Sequence, residues 1–413
     1  MKILYLTQHF PPESQAAAFR AAETANLLSA RGIEVHVITG FPNHAEERKQ
    51  AKYKNKLILN EQYNQVRVTR VYTPLDTKNS SLVRLLNYFC YMVLAFITGL
   101  FLPKPAVVYA SSPPLFVSLP GLALAKLKRA KYVLEVRDLW VDFAILLGQL
   151  RGSFFIYAAR KIEQVVTRAA AKIVVVTAGY KQHYIEQGID ANKIEIIYGG
   201  IDFSNPVFFL SEADGSFNEK YQLGGKFVVG YAGNIGYAQG LDVVLEAADL
   251  MRNEEVAFLL IGDGADKERL CAVKEEKGLD NVIFTGQVSR EEVAKYIHSF
   301  DCYLVTLLNH PLFRITLPTK LFEAMAFRKP VLLGLNGEAQ GIVEQAEAGL
   351  TFDIDKPETM VEAINYFRNH PKEKKVMAEK GYQFANDNFN REHLVERLSN
   401  ILKECGKSYL SGD

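Results

Sequence analysis

The sequence lacks the Gly-x-Gly-x-x-Gly turn that follows the first strand of a dinucleotide-binding domain. Its first apolar run, residues 3–6, is followed instead by Thr7-Gln-His-Phe-Pro-Pro-Glu-Ser14. This absence argues against an enzyme that uses a nicotinamide cofactor.

Cysteine is scarce, and the chain does not open on a long apolar leader. The 413 residues include four cysteines, far apart and without the spacing of metal ligands, which is typical of free thiols in a reducing compartment. The apolar start, residues 1–7, is too short for a signal peptide and is predicted to be a buried strand. These features favour a cytoplasmic protein.

The pattern Asp353-Ile-Asp355 looks like a metal-binding Asp-x-Asp. It precedes a predicted helix start at Pro357, so we interpret the two carboxylates as a strand end and a helix cap. No metal site and no cofactor are predicted.

The net charge is only +1, but it is unevenly distributed along the chain. Residues 1–200 have 25 Lys and Arg against 14 Asp and Glu, a net of +11, and residues 201–413 have 23 against 33, a net of −10. Such a split indicates that the first half faces something anionic, either nucleic acid or a membrane. No nucleic-acid motif accompanies it, so we expect a membrane surface.

Short apolar runs alternate with helical patterns through most of the chain, which predicts an α/β protein with parallel sheets. We expect a first domain over residues 1–202, a polar linker over 203–225 and a second domain over 226–388.

The segment 318–330 carries the most informative pattern in the sequence. Pro318 and Thr319 predict a helix start, with the Thr319 hydroxyl able to accept from a free N–H, and the next strand follows Pro330. Lys320 lies in the first turn, beside unpaired backbone N–H groups, a place that suits an anion rather than a cation. A phosphate bound between the Lys320 ammonium and these N–H groups would explain a lysine at this position. Glu323, one turn later, is placed to accept from the hydroxyls of a ribose. The alternative is an amphipathic surface helix with two solvated charges.

This segment resembles the donor-nucleotide helix of retaining GT-B glycosyltransferases of family 4, in the branch that builds bacterial surface polysaccharides such as O-antigen and capsule. The likeness covers nearly the whole chain and is strongest at residues 1–20, 133–140, 228–246 and 316–338. It implies two Rossmann-like domains facing across a cleft, the first for the acceptor and the second for the nucleotide sugar. It also implies that residues 389–413 form a helix that crosses back to the first domain.

The resemblance places the donor in the second domain. It implies that Lys320 meets the diphosphate and Glu323 the ribose, with further contacts from the loops around the following residues: Gly233, Asn234, Gly236, Gly262, Gly264, Thr319 and Glu338. A glycine-bearing turn lets backbone N–H groups approach a phosphate.

The sequence departs from the family pattern at three of these places. Asn234 and Gln239 stand where an arginine and a lysine are usual, and Ile315 replaces the first of two glutamates. More of the diphosphate contact should therefore fall on Lys320 and on backbone donors.

Polar residues also follow two predicted strands of the first domain. Arg137 and Asp138 come just after a strand, where open α/β sheets bind ligands, and we expect them to be catalytic together with Lys320. A structural ion pair is the alternative. Glu13 and Arg20 are acceptor-side candidates, with solvated charges at a helix start as the alternative.

An uncharged run of eighteen residues, 85–102, admits three interpretations: a spanning helix, a core helix and an interfacial helix. Spanning would separate strands that we expect in one sheet. We favour a helix partly buried in the domain and partly pressed into an anionic membrane, together with the basic loop 45–56. The aromatic residues expected at the membrane boundary are Tyr88, Phe89, Tyr91 or Phe96. A wholly buried helix remains an alternative.

The resemblance implies a metal-independent, retaining transferase of a hexose or an N-acetylamino sugar. Its donor would be a nucleotide sugar, with UDP expected, and its acceptor a lipid-diphosphate-linked saccharide at the inner face of the plasma membrane. Two alternatives stay open: a UDP-sugar epimerase of the same architecture and a non-catalytic membrane-associated scaffold.

Overall fold

The computed structural model describes residues 1–13, 15–43, 48, 50–75, 81–209 and 219–410. The chain divides into two compact units. The first unit is Met1–Tyr198 together with the chain from Glu392 onward, and the second is Gly199–Arg391. Part of the predicted linker, residues 210–218, lies outside the described residues.

The first unit contains an eight-stranded sheet in the order β3-β4-β2-β1-β5-β6-β7-β8. Its strands are β1 (Lys2–Leu6), β2 (Glu34–Gly40), β3 (Ile58–Tyr63), β4 (Val66–Val71), β5 (Val107–Ser112), β6 (Lys131–Val136), β7 (Lys172–Val175) and β8 (Ile194–Ile196). Every pair is parallel except β3 with β4. The parallel strands are apolar runs buried on both faces, as helix-covered sheets require.

The helices of the first unit follow its strands. They are α1 (Ala16–Ala30), α2 (Ser81–Phe101), α3 (Ser118–Leu127), α4 (Trp140–Leu146), α5 (Ser153–Ala169) and α6 (Ala178–Glu186). The hairpin of β3 and β4 was not predicted from sequence, because its edge strand β3 alternates half-buried and exposed residues without a clear apolar run.

The second unit contains a six-stranded parallel sheet in the order β11-β10-β9-β12-β13-β14. Its strands are β9 (Phe227–Ala232), β10 (Val256–Ile261), β11 (Val282–Gly286), β12 (Cys302–Thr306), β13 (Val331–Gly334) and β14 (Gly349–Thr351). Its helices are α7 (Asp242–Leu250), α8 (Lys267–Lys277), α9 (Arg290–His298), α10 (Pro311–Arg314), α11 (Thr319–Ala326), α12 (Glu338–Ala346), α13 (Pro357–Asn369) and α14 (Pro371–Phe389). The α/β fold with two parallel-sheet domains is thus confirmed.

The last helix, α15 (Arg391–Leu410), packs into the core of the first unit. Leu394, Val395, Leu398 and Leu402 share one apolar cluster with strand residues such as Tyr5 of β1. The spacing of these leucines places them on one face of the helix. The first unit is therefore completed by residues from the far end of the chain.

Helix α2 covers residues 85–101 of the predicted uncharged run. Its stretch Val83–Phe101 is long and apolar enough to cross a membrane, and 28% of the most apolar eighteen-residue segment in it is buried. Its two neighbours along the chain, β4 and β5, belong to one sheet, which disfavours the spanning interpretation. One face, with Asn87, Tyr91 and Ala95, is buried. The opposite face exposes large apolar side chains, so the alternative of a wholly buried helix is wrong.

Tyr91 corrects one detail of the membrane hypothesis. We expected it among the aromatic residues at the membrane boundary, but it is fully buried, and its hydroxyl lies 2.9 Å from the carbonyl oxygen of Ile38. The exposed aromatic residues of α2 are Phe89 and Phe101.

We predict that Leu402→Ala destabilises the first unit and leaves the second unaffected. Removing a fully buried leucine costs about 2–5 kcal/mol. Amide hydrogen exchange should therefore accelerate in β1 and β2 and stay unchanged in β9 and β10. The exposed Asn400→Ala on the same helix is the matched control. Unchanged exchange in β1 and β2 would mean that α15 contributes little to that core.

Candidate active site

The predicted donor residues meet at one edge of the second sheet. Gly233 follows β9, Gly262 follows β10, and α11 connects β12 to β13. Because these strands are parallel neighbours, their carboxyl ends share an edge, and that is where open α/β sheets bind ligands.

Backbone contact explains the glycines of two loops. A Cβ on Gly262 would lie 1.9 Å from the carbonyl oxygen of Gly233, and one on Gly264 would lie 2.2 Å from that of Ile235. The N–H of Ile235 donates to the carbonyl oxygen of Asp263 over 2.8 Å. Gly262 and Gly264 are therefore needed because the two loops touch, and their contact with the donor nucleotide stays a prediction.

Gly233 makes room for Lys320. A Cβ on Gly233 would lie 2.5 Å from Cε of Lys320 and 2.9 Å from its Nζ, and the φ angle of Gly233, +141°, already favours glycine. The Lys320 ammonium also lies 5.0 Å from the ring centroid of Tyr231, within the range of a cation–π contact. Lys320 is thus held between a bare backbone and an aromatic face.

The charge of Lys320 is poorly solvated. Burial lowers the pKa of its ammonium, and Glu323 offsets this only in part. A phosphate placed beside Lys320 would replace the missing solvation, so the site favours an anion.

Glu323 lies one turn along α11 from Lys320. Its Oε2 is 3.5 Å from the hydroxyl of Tyr303, which is also 3.4 Å from the carbonyl oxygen of Ala232. Burial, and then the charge of Glu323, raise the pKa of Tyr303 well above its usual value, so this hydroxyl stays protonated as a donor. Lys320 and Glu323 are therefore set on one short helix against two buried tyrosines.

Thr319 does not cap this helix. The helix begins at Thr319 itself, the capping position is Pro318, and no side-chain capping bond forms there. The predicted hydroxyl cap is wrong, because Thr319 lies one residue too far along the chain. Its hydroxyl keeps no capping role in the site.

Tyr231 and Tyr303 were not predicted as site residues. The Tyr231 hydroxyl donates to the carbonyl oxygen of Asn234 over 2.5 Å and lies 3.3 Å from Oε1 of Gln239. Both tyrosines lie in buried strands, where sequence alone indicates core packing. A buried tyrosine hydroxyl needs a hydrogen-bond partner, so the two tyrosines could have indicated polar groups beside these strands.

Glu338 is the first residue of α12, and Gly337 precedes it with a φ of +91°. A Cβ on Gly337 would lie 2.1 Å from the carbonyl oxygen of Arg314. A carboxylate in the first turn is stabilised by the helix dipole, so Glu338 also has a structural role there. Ile315, where the family glutamate is missing, ends the short helix α10 next to Arg314.

In the first unit, Arg137 leaves the end of β6 and its side chain is about nine-tenths buried. Its Nε lies 3.9 Å from Oε1 of Glu135, whose other oxygen accepts from the Ser111 hydroxyl. Burial lowers the pKa of the Arg137 guanidinium. Nearby groups, led by Glu135, raise this pKa by more than burial lowers it, so the net shift is upward. Its ion pair within 4 Å is thus with Glu135, and the alternative of an ion pair with Asp138 is not formed at that distance.

Asp138 is exposed, and the charges that act on it are those of Arg20 and Arg137. The structure therefore brings three of the predicted first-unit residues together at one edge of the sheet. The catalytic roles of Arg137 and Asp138 and the acceptor-side role of Arg20 stay predictions.

Glu13 is buried, so the interpretation of it as a solvated charge is wrong. Its carboxylate accepts from the N–H of Asn43 over 2.9 Å and contacts Nδ1 of His9 over 2.8 Å. Glu13 thus fixes the loop after β1 and orients His9, a residue that sequence analysis had not singled out.

The described residues contain no group of three or more His, Cys, Asp or Glu side chains that could hold a metal ion. Metal independence stays a prediction.

Two family models match the chain, Glycosyltransferase Family 4 over residues 17–205 and Glycosyl transferases group 1 over residues 216–384. Together they account for both units. The chain belongs to the family 4 and group 1 glycosyltransferases.

Several relatives of this glycosyltransferase are named for the biosynthesis of bacterial surface polysaccharides. It is 27% identical, over 79% of its length and 81% of the relative, to the putative colanic acid biosynthesis glycosyl transferase WcaI of Escherichia coli. It is 25% identical to the O-antigen chain mannosyltransferase C of Escherichia coli, over 41% of this chain and 45% of that one.

Among solved structures, the chain is similar to Anabaena Alr3699/HepE in complex with UDP. The TM-score is 0.71 at 17% identity, covering 98% of this chain and 100% of that one. Such a likeness shows the fold, and it agrees with the GT-B class predicted from sequence.

We predict that Glu323→Gln lowers the pKa of Lys320 further. The carboxylate of Glu323 raises that pKa, and an amide does not. The fraction of uncharged amine at a fixed alkaline pH should therefore rise. Acylation of Lys320 by a small anhydride, followed by mass spectrometry, would proceed faster in the variant. The exposed Lys295 is an internal reference, and an unchanged ratio of the two rates would contradict the electrostatic link.

Proposed function

We propose that this glycosyltransferase transfers a sugar from a UDP-linked donor to a lipid-diphosphate-linked saccharide, with retention and without a metal ion, at the inner face of the plasma membrane. The observation that carries the donor half is the half-buried, poorly solvated ammonium of Lys320 at the carboxyl edge of the second sheet. The solved structures of the same fold that hold UDP support the choice of nucleotide.

The proposed role of Lys320 is to stabilise the departing diphosphate. Sugar transfer breaks the bond to a phosphate oxygen, so negative charge grows on the leaving group. A fixed cation in a poorly solvated place interacts with that charge more strongly than one in water. The N–H groups at the start of α11 lie beside Lys320 and add positive potential.

Glu323 is proposed to accept from the ribose hydroxyls of the donor. Its carboxylate is one helical turn from Lys320, and Tyr303 lies beside one of its oxygens. The spacing between the diphosphate and the ribose of a nucleotide fits two side chains one turn apart.

The proposed acceptor side lies in the first unit, where Arg20, Arg137 and Asp138 meet. The two arginines suit an anionic diphosphate on a lipid-linked acceptor. A GDP-linked mannose is the competing donor, because two relatives are named as mannosyltransferases, one of them GDP-mannose-dependent.

The membrane hypothesis has support from the exposed face of α2. Phe89 is 53% and Phe101 is 84% exposed, and Leu85, Leu86 and Leu100 are exposed beside them. In the basic loop 45–56, Lys52, Lys54 and Lys56 are exposed. Residues 45–47 and 49 lie outside the described part of the chain, and the Arg48 guanidinium lies over the rings of Phe41 and Tyr72.

We predict that Lys320→Ala lowers turnover by about 10²-fold or more, as loss of one oxyanion-type donor does. UDP affinity should fall as well. The measurements are sugar-transfer rates and calorimetric titration with UDP. A variant with wild-type turnover and wild-type UDP affinity would remove Lys320 from the mechanism.

The pH dependence provides a control on this variant. Because the pKa of Lys320 lies below the ordinary 10.5, its charge is present at low pH and is lost as pH rises towards that value. Wild-type UDP affinity should decline over this alkaline range, and Lys320→Ala should lack that part of the decline.

A separate prediction concerns the ribose. Glu323→Gln should weaken UDP much more than deoxy-UDP, because a lost acceptor matters only where hydroxyls donate. Equilibrium titration with the two nucleotides gives the ratio of dissociation constants. If both nucleotides lose affinity equally, Glu323 acts through packing or general charge.

The last prediction of this section concerns membrane docking through α2. Co-sedimentation with vesicles should rise with anionic lipid and fall with salt, since each basic side chain near such a surface contributes about 1 kcal/mol. Phe89→Ser with Phe101→Ser should reduce binding further, by removing a contribution that salt does not screen.

The control pair is Phe209→Ser with Tyr237→Ser, two exposed aromatic residues of the second unit. Equal loss in both pairs, or equal binding to neutral and anionic vesicles, would contradict docking through α2.

A further inference from the structure

A pocket lies at the edge of the second sheet opposite to the edge that carries the predicted donor residues. Its volume is about 500 Å³. It is lined by residues that precede strands β9, β12 and β13 and by the first turns of α14. We call it the basic pocket: Leu223–Lys226, His298–Asp301, Arg328–Pro330, Lys374, Lys375 and Ala378.

The basic pocket and the donor edge are separate places. β9 has six residues between them, which spans about 20 Å. One small ligand therefore cannot contact Lys226 before β9 and Gly233 after it.

The charge of this pocket is strongly one-sided. Its lining has five Lys and Arg side chains and one carboxylate, Asp301. This stands out because residues 201–413 together have a net charge of −10, from 23 Lys and Arg against 33 Asp and Glu. The acidic half of the chain thus concentrates positive charge in one pocket.

Asp301 pairs with only one of the five Lys and Arg side chains of the pocket. One of its oxygens accepts from Lys374 over 2.6 Å, and the other accepts from the N–H of Val228 over 3.0 Å. Arg328 is likewise engaged, by Glu379 over 3.1 Å and by the ring of Tyr382. Among the described residues, Lys226 and Lys375 have no ion-pair partner.

The surroundings of the two lysines suit a bulky anion. Lys226 follows Gly224 and Gly225, where an added Cβ would meet no atom within 4 Å, so the loop borders open space. Lys375 lies near the start of α14, whose first turn adds positive potential. The two lysines approach from different elements, so a ligand with adjoining phosphates can contact both of them.

We propose that the basic pocket binds a soluble small molecule that carries adjoining phosphates. Its volume is within the range of about 300–1,000 Å³ that small-molecule sites have. Lys226 and Lys375 contact the adjoining phosphates of this ligand. This site is additional to the proposed donor site and does not depend on it.

Inorganic pyrophosphate is the probe that tests the proposal, by calorimetric titration at low ionic strength. The titration is made on the wild type and on Lys320→Ala, which weakens the donor edge. One binding event should survive Lys320→Ala and weaken at higher salt. Lys226→Gln with Lys375→Gln should raise the dissociation constant of that event at least tenfold and leave UDP affinity unchanged.

The matched control is Lys295→Gln with Lys356→Gln, two exposed lysines of the same unit outside the pocket. Equal weakening by the control pair would overturn the proposal, since bulk charge would then explain it. Absence of any pyrophosphate binding in Lys320→Ala would overturn it too. Binding of anionic vesicles, but not pyrophosphate, through Lys226 and Lys375 would replace the soluble ligand by a lipid headgroup and overturn the proposal as stated. Loss of UDP binding in Lys320→Ala alone concerns the donor site.

Discussion

The proposed donor site depends on the placement of one ammonium group, that of Lys320. Lys320 is placed by the short helix α11, faces the ring of Tyr231 and fits only because Gly233 has no side chain. Burial disfavours its charge, and Glu323 restores part of the balance. The neighbouring loops are constrained in turn, because Gly262 and Gly264 must touch the backbone around Gly233. A bound diphosphate would complete this arrangement electrostatically.

The sequence alone predicted the fold class and the edge of the sheet on which the donor residues lie. The short apolar runs and the helix signals at Pro318 and Pro330 depend only on residues that are neighbours in the sequence. Such features can therefore be predicted without knowledge of the tertiary structure. The roles of Tyr231 and Tyr303 were not predictable, since a tyrosine in a buried strand looks like core until the neighbouring loop is placed over it. Thr319 was assigned to capping because helix bounds are uncertain by a residue or two. Glu13 was taken for a possible solvated charge because its partner Asn43 is distant along the chain.

The first unit combines a core, completed by α15, with an apolar helix whose outer face is exposed. An uncharged run in sequence cannot say which of its residues face inward, and Tyr91 shows the consequence: a side chain expected at a membrane boundary lies in the core. The buried face of α2 was set by contacts with residues far away in sequence, such as Ile38. The apolar side chains on the exposed face of α2 are the groups that would insert into a membrane in the proposed docking.

The most direct test of the account is a transfer assay with the purified chain, labelled nucleotide sugars and a bacterial lipid extract. The account predicts that label from a UDP-sugar enters the organic phase as a lipid-linked saccharide. Label from the matching GDP-sugar should stay in the aqueous phase. Conversion of the UDP-sugar into a free isomer, with no label in lipid, would contradict the account in favour of an epimerase. No conversion of any donor, by protein that is folded and membrane-bound, would favour a scaffold instead.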